Sequence, residues 1–280
     1  MSDDLDTGAE KTWCTGCGNF GILASMKKAV KELEERDISR DRLVISTGIG
    51  CHGKIFDYLN LSGIYSLHGR EVASAQGIKL GNPDLKIIAF GGDGDCYGEG
   101  LAHLLFAAKR NIDITVIVHN NGAYALTTGQ ASPTSPKGFK GPATPEGSVE
   151  PPIEPLGLLL SAGATFVARG YAGKVEHLSN LIVQAVEHPG FAHIDVLQPS
   201  VVFTDRYDEY NDKVEELKEV KKTRMDAMEL AGISDRLPVG VFYREEKSTY
   251  DRELLGEGNP VEDRMSDEKR FEVIKRSMEM

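Results

Sequence analysis

No stretch of this sequence is apolar for long enough to cross a bilayer, which takes about 20 consecutive residues, so no membrane span is expected. Cysteine is scarce: the 280 residues hold four, Cys14, Cys17, Cys51 and Cys96. In a chain expected to stay in a reducing compartment, such spacing points to metal or redox chemistry and not to structural disulfides. Positive charge is in deficit, with 32 Lys and Arg against 43 Asp and Glu and a net charge of -11. That leaves no surplus to neutralise phosphates, so nucleic-acid binding is not expected; the acidity reads as solubility. Residues 1–11 are polar and acidic, the reverse of a secretory leader, which makes the cytoplasm the expected location.

Hydrophobic residues, at 40% of the chain, suffice for a real core. Phe20, Leu23, Met26, Ala29, Val30 and Leu33 recur at helical spacing directly after the Cys14–Cys17 turn. Short apolar runs at Leu43–Thr47, Lys86–Phe90, Ile112–Val118, Thr165–Ala168 and Ala192–Leu197 read as strands. Helical patterns at about residues 71–80, 100–109, 155–161 and 174–187 separate them. Strands alternating with helices predict a doubly wound, mainly parallel α/β sheet. Residues 122–155 are rich in Gly, Pro, Ser and Thr and lack periodicity; a loop that long is usually functional. The organisation expected is a domain over residues 1–204 and a charged, mostly helical C-terminal extension over 205–280, with one apolar patch at Val239–Tyr243.

Gly92-Asp93-Gly94 ends one predicted strand, and Asn120-Asn121 ends the next, with residues 95–119 between them. Both sites then fall at the carboxyl ends of neighbouring strands, where open α/β sheets bind ligands. Glycine lets the backbone approach a diphosphate closely, and Asp and Asn oxygens are hard ligands suited to Mg2+. A Gly-Asp-Gly turn alone says little; the strand context, the spacing and the paired asparagines carry the reading. Trp13-Cys14-Thr15-Gly16-Cys17-Gly18 is a C-x2-C turn, and Gly50-Cys51-His52-Gly53-Lys54 supplies a third cysteine after a strand. Glycines beside thiolates leave amides free to bond to sulfur, as iron–sulfur clusters use; zinc is the competing metal.

Taken together these motifs resemble the β subunit of 2-oxoacid:ferredoxin oxidoreductases over residues 11–207. The match comprises Cys14-x2-Cys17-Gly18, Gly50-Cys51-x-Gly53-Lys54, His68-Gly69-Arg70, Gly92-Asp93-Gly94-Asp95 and Asn120-Asn121-x2-Tyr124-x2-Thr127-x-Gly129-Gln130. The resemblance implies a fold of the thiamine-diphosphate-binding type. It implies Mg2+ held by Asp93, Asn121 and the Ala123 carbonyl, with Gly50, Cys51, His68, Gly92, Gly94, Asp95, Tyr124 and Thr127 about the cofactor. Lys54 would face the substrate carboxylate and His68 would lie close to the thiamine. It also implies a [4Fe–4S] cluster on Cys14, Cys17 and Cys51, with coenzyme A as acyl acceptor and ferredoxin as electron acceptor.

The chain departs from the family at two places. Ser200, in Gln198-Pro199-Ser200-Val201, stands where the family has its fourth cysteine, and His52 stands where a small residue is common. The glutamate that activates the aminopyrimidine ring is not identifiable, and in the family it comes from the partner α subunit. The reading is therefore one subunit of an enzyme that oxidatively decarboxylates a 2-oxoacid to acyl-CoA and CO2. A non-redox thiamine-dependent decarboxylase subunit and a cluster-less thiamine-binding scaffold are the other readings, and iron content separates them from the first.

Overall fold

The computed structural model describes residues 4–233, 235–262 and 265–279. Its sheet has the strands β1 (Leu43–Thr47), β2 (Ser62–Tyr65), β3 (Lys86–Gly92), β4 (Ile114–Asn120), β5 (Phe166–Tyr171), β6 (Ala192–Leu197), β7 (Val214–Glu216) and β8 (Leu237–Arg244). Across the sheet they lie in the order β2-β1-β3-β4-β6-β5-β8-β7. Every pairing of these strands is parallel except that of β5 with β8.

The β-branched run that predicts a strand buried on both faces is β4, at the centre of the sheet, and both faces of β3 and β4 are covered. Ile88, Phe90 and Ile117 point into one core, and Ile87, Ala89, Ile114, Val116 and Val118 into the other. The first core is closed by α1 (Asn19–Glu35) and α6 (Val175–Glu187), which pack on each other. α1 commits Ile22, Leu23, Met26, Ala29, Val30 and Leu33 to it, and full burial of each larger apolar side chain stabilises by about 1.5–3 kcal/mol. The second core lies under α3 (Glu71–Gly81), α4 (Leu101–Arg110), α5 (Pro155–Ala162) and α8 (Arg224–Ala231).

Three features differ from the sequence expectation. β2 was not foreseen, because all four of its residues are exposed and carry no burial pattern. The segment after Gly94 is a π turn, Asp95–Glu99, that leads into α4. The Val239–Tyr243 patch lies within β8, so the charged C-terminal stretch contributes two strands to the sheet as well as α7 (Tyr207–Lys213), α8, α9 (Tyr250–Leu255) and α10 (Asp267–Met278). The remaining helix, α2 (Ile55–Tyr58), is a single turn. No helix among the described residues is long and apolar enough to cross a membrane.

Candidate functional site

β1, β3, β4 and β6 are consecutive neighbours and run the same way, so their carboxyl ends share one edge of the sheet. Those ends carry Gly50-Cys51, Gly92-Asp93-Gly94, Asn120-Asn121 and Gln198-Pro199-Ser200 respectively. The Cys14–Cys17 turn joins the same edge because Gly18 N–H donates to the Pro199 carbonyl at 3.0 Å. Trp13 adds a second tie: its Nε1 donates to the Cys51 carbonyl at 2.6 Å while its ring packs edge-on against Phe20 and Tyr58.

One cavity on this edge is lined by Gly50, Cys51, His52, His68, Gly92, Asp93, Gly94, Asp95, Asn121, Ala123, Tyr124 and Thr127 among others. Asp93 is buried, and burial raises its carboxyl above the usual range, against the lowering effect of Ser132 and Thr134 hydroxyls that donate to its Oδ2. Asn121 Oδ1 accepts the Ala123 amide at 3.0 Å. Gly94 is dictated by its neighbour: a Cβ there would lie 2.2 Å from the Tyr124 ring. Asp95, expected simply beside the cofactor, lies between two histidines. His68 Nδ1 contacts its Oδ1, His52 Nε2 lies 2.6 Å from its Oδ2, and Gly69 N–H donates to it. The Thr127 hydroxyl donates to Gln130 within the long loop.

A second cavity, of about 100 Å³, gathers Cys14, Cys17, Cys51 and Ser200 within walls of Trp13, Leu126, Val201, Val202 and Phe203. Burial pushes the Cys51 thiol up to about 11, helped by Cys17 and Cys14 nearby, and raises Cys17 as well. Cys14 is exposed and Cys17 and Cys51 are half-buried, so the three sulfurs meet at the rim of this cavity. Lys54 lines this cavity, not the first, and pairs with Asp57 at 3.1 Å. Cys96 takes no part: it is fully buried under the sheet and donates to Glu71 Oε1 at 3.1 Å.

The sequence matches the thiamine pyrophosphate enzyme C-terminal TPP binding domain over residues 48–196. Residues 201–256 match the C-terminal part of the pyruvate ferredoxin oxidoreductase beta subunit. The chain is 46% identical to the 2-oxoacid:ferredoxin oxidoreductase subunit beta of Saccharolobus solfataricus, covering 86% of this chain and 85% of that one. This chain belongs to the 2-oxoacid:ferredoxin oxidoreductase β-subunit family. The 2-oxoglutarate synthase subunit KorB of Methanothermobacter thermautotrophicus is 35% identical over 82% of this chain and 81% of its own. Among solved structures, the 2-oxoglutarate:ferredoxin oxidoreductase from Magnetococcus marinus, with 2-oxoglutarate, coenzyme A and succinyl-CoA bound, superposes with a TM-score of 0.89 at 33% identity. It covers 98% of this chain and 96% of that one.

As an oxidoreductase β subunit with a thiamine-binding domain, the chain has residues that fit both groups its family implies. The hard oxygens of Asp93 and Asn121 suit Mg2+, and the three thiols of Cys14, Cys17 and Cys51 suit iron. The sequence did not reveal Glu71, whose side chain is fully buried. Burial, and then the charge of Asp95, pushes it up to about 7. Glu71 does not line the cofactor cavity; its oxygen faces Cys96. Nor did the sequence reveal Gln198 and Asn19, which are buried polar residues at the edge of the site. Asn19 Oδ1 meets His119 Nδ1 at 2.8 Å. Contacts across 77 to 181 residues leave no local trace.

Proposed function

We propose that this β subunit oxidatively decarboxylates a 2-oxoacid in the cytoplasm together with an α subunit, passing the acyl group to coenzyme A and the electrons to ferredoxin. One observation carries this reading. The cavity of Asp93 and the cavity of the cysteines share Cys51, Asn121, Ala125 and Leu126 as a common wall, so a cofactor that releases electrons would sit one residue away from a site that accepts them. Thiamine diphosphate, when bound, supplies the carbanion chemistry that expels CO2, and a [4Fe–4S] cluster removes the electrons singly.

The chain's own residues would do the following. Asp93, the Asn121 side chain and the Ala123 carbonyl hold Mg2+, and Gly92 and Gly94 admit the diphosphate. Cys14, Cys17 and Cys51 hold three irons, and the Ser200 hydroxyl faces the fourth. Lys54 offers a point charge to the substrate carboxylate. His68 lies at the mouth of the cofactor cavity with its Nδ1 against Asp95. The ring-activating carboxylate is taken to come from the partner α subunit; the nearest glutamate of this chain, Glu99, is engaged by His68 and the Tyr124 hydroxyl.

The test is made on anaerobically purified protein, with a visible spectrum, counts of iron, sulfide and zinc, and calorimetric titration of thiamine diphosphate with Mg2+. An iron–sulfur band with iron and sulfide in equal amounts is expected, together with binding that Asp93→Ala abolishes. Mild oxidation should release one iron, because a serine oxygen is a harder ligand than a thiolate, and Ser200→Cys should suppress that loss. Zinc, or no metal, would overturn the redox half and leave the non-redox decarboxylase or scaffold reading in its place.

A further inference from the structure

Gln198 follows β6, lines the cysteine cavity beside the shared wall residue Asn121, and is 1% exposed. Its side-chain amide has three partners. Nε2 donates to the Pro199 carbonyl at 2.7 Å and to Cys17 Sγ at 3.4 Å. Oε1 accepts from Asn121 Nδ2 at 3.1 Å. The orientations follow by logic, because a carbonyl oxygen can only accept. The Pro199 carbonyl therefore forces Nε2 toward itself and toward the sulfur. Oε1 must then face Asn121, and only Asn121 Nδ2 can answer it. That turns Asn121 Oδ1 the other way, where it accepts the Ala123 amide and keeps a second lone pair. The Asn121 backbone is pinned as well, by the Thr204 hydroxyl on its carbonyl at 2.6 Å. Gly18 leaves room for this arrangement: a Cβ there would lie 3.0 Å from the Gln198 Cγ.

We propose that Gln198 is a positioning residue serving both cofactor sites at once: it turns the Asn121 oxygen toward the Mg2+ of the diphosphate site and hydrogen-bonds the Cys17 sulfur of the iron site. The proposal rests on the reading in the preceding section. The two tasks depend on each other, because the amide cannot flip to suit one site without abandoning the other. The Cys17 sulfur also accepts the Asn19 amide at the start of α1, so two donors converge on this one ligand. Donors to a cluster sulfur favour its reduced, more negative state and raise its potential.

The holoenzyme, assembled with its partner, tests this with Gln198→Met and Gln198→Glu. Two readouts are taken: the cluster midpoint potential, from a redox titration followed by electron paramagnetic resonance, and the affinity for thiamine diphosphate with Mg2+, by calorimetry. Gln198→Met removes both functions. It should lower the potential and weaken the cofactor by roughly 10–100-fold, the usual effect of losing a residue that orients a metal ligand. Gln198→Glu keeps an acceptor for Asn121 but sets an anionic oxygen against the sulfur. It should lower the potential further while costing less cofactor affinity than Gln198→Met. A simple packing role would lower thermal stability in both variants without this separation. Should Gln198→Met fail to fold, the shape-preserving Gln198→Glu carries the test through its potential alone. Iron-replete variants with wild-type potential and affinity overturn the proposal, and a change in only one readout for Gln198→Met overturns the claim of joint service. Wild-type protein that binds thiamine diphosphate but no iron overturns the underlying reading instead, and this proposal with it.

Discussion

At the scale of single residues, two charged side chains sit where charge is expensive or purposeful. Lys54 is part of the cysteine cavity wall and keeps a carboxylate partner, Asp57, at 3.1 Å. Lys54→Ala should lower kcat/KM for the 2-oxoacid by roughly 10–100-fold, the worth of a hydrogen bond to a charged group. Binding of thiamine diphosphate should stay unchanged, and steady-state kinetics beside calorimetry checks both. Glu71 has the opposite character. Its carboxyl is raised from 4.5 to about 7 by burial and by Asp95, so between those pH values the folded state holds a proton that the unfolded state has lost. The linkage sign follows: this contribution is full below pH 4.5, declines as pH rises through the window and is gone above about 7. Glu71→Gln should therefore flatten the pH dependence and make the protein more stable than wild type at pH 8. Urea melts at pH 5 and pH 8 measure it, and equal stability of the two proteins at pH 8 would refute the assignment.

At the scale of elements, the cysteine turn is held in place by one ring. Trp13 joins the turn to α1 through Phe20, to α2 through Tyr58 and to the end of β1 through the Cys51 carbonyl. Trp13→Ala should cost about 3–5 kcal/mol and reduce iron retention. Trp13→Phe, which keeps the ring but not the donor, should cost about 1 kcal/mol; thermal melts and iron counts on the two variants check this. The elements also show what the sequence could disclose. α1 and β4 were legible because a buried helix face and a strand buried on both sides leave periodic or continuous apolar runs. Short motifs also made it legible that Asp93, Asn121 and the three cysteines would meet at one edge of the sheet. β2 escaped because nothing buries it. The pairing of β8 with β5 escaped because strand partners distant in the chain carry no local signal of register. Glu71 lay inside a correctly expected helix, but a fully buried glutamate is too rare for sequence to suggest.

At the scale of the whole molecule, the mouth of the site is apolar. Ile49, Leu67, Leu126, Val202 and Phe203 are exposed near the two cavities, on a chain whose net charge is -11. A surface of that kind marks a place of association. The isolated chain should therefore show little 2-oxoacid- and coenzyme A-dependent reduction of a viologen dye, with activity appearing when an α subunit is added. Full turnover by the chain alone would refute the need for a partner.

The two borders of the sheet are unequal, and this bears on how the chain behaves before it finds a partner. On one side the last strand is β7, three residues long, with Glu215 and Glu216 exposed; short, charged edges repel further strands. On the other side β2 pairs only with β1 and leaves Ile64 and Tyr65 open to water, with Leu67 just beyond. None of the four residues of β2 is charged, so the strand itself carries no side chain that would repel another chain extending the hydrogen-bonded ladder. Freshly made copies should then clump edge to edge when expressed singly. Light scattering of the lone chain should reveal these particles, and a lysine placed at Ile64 should disperse them.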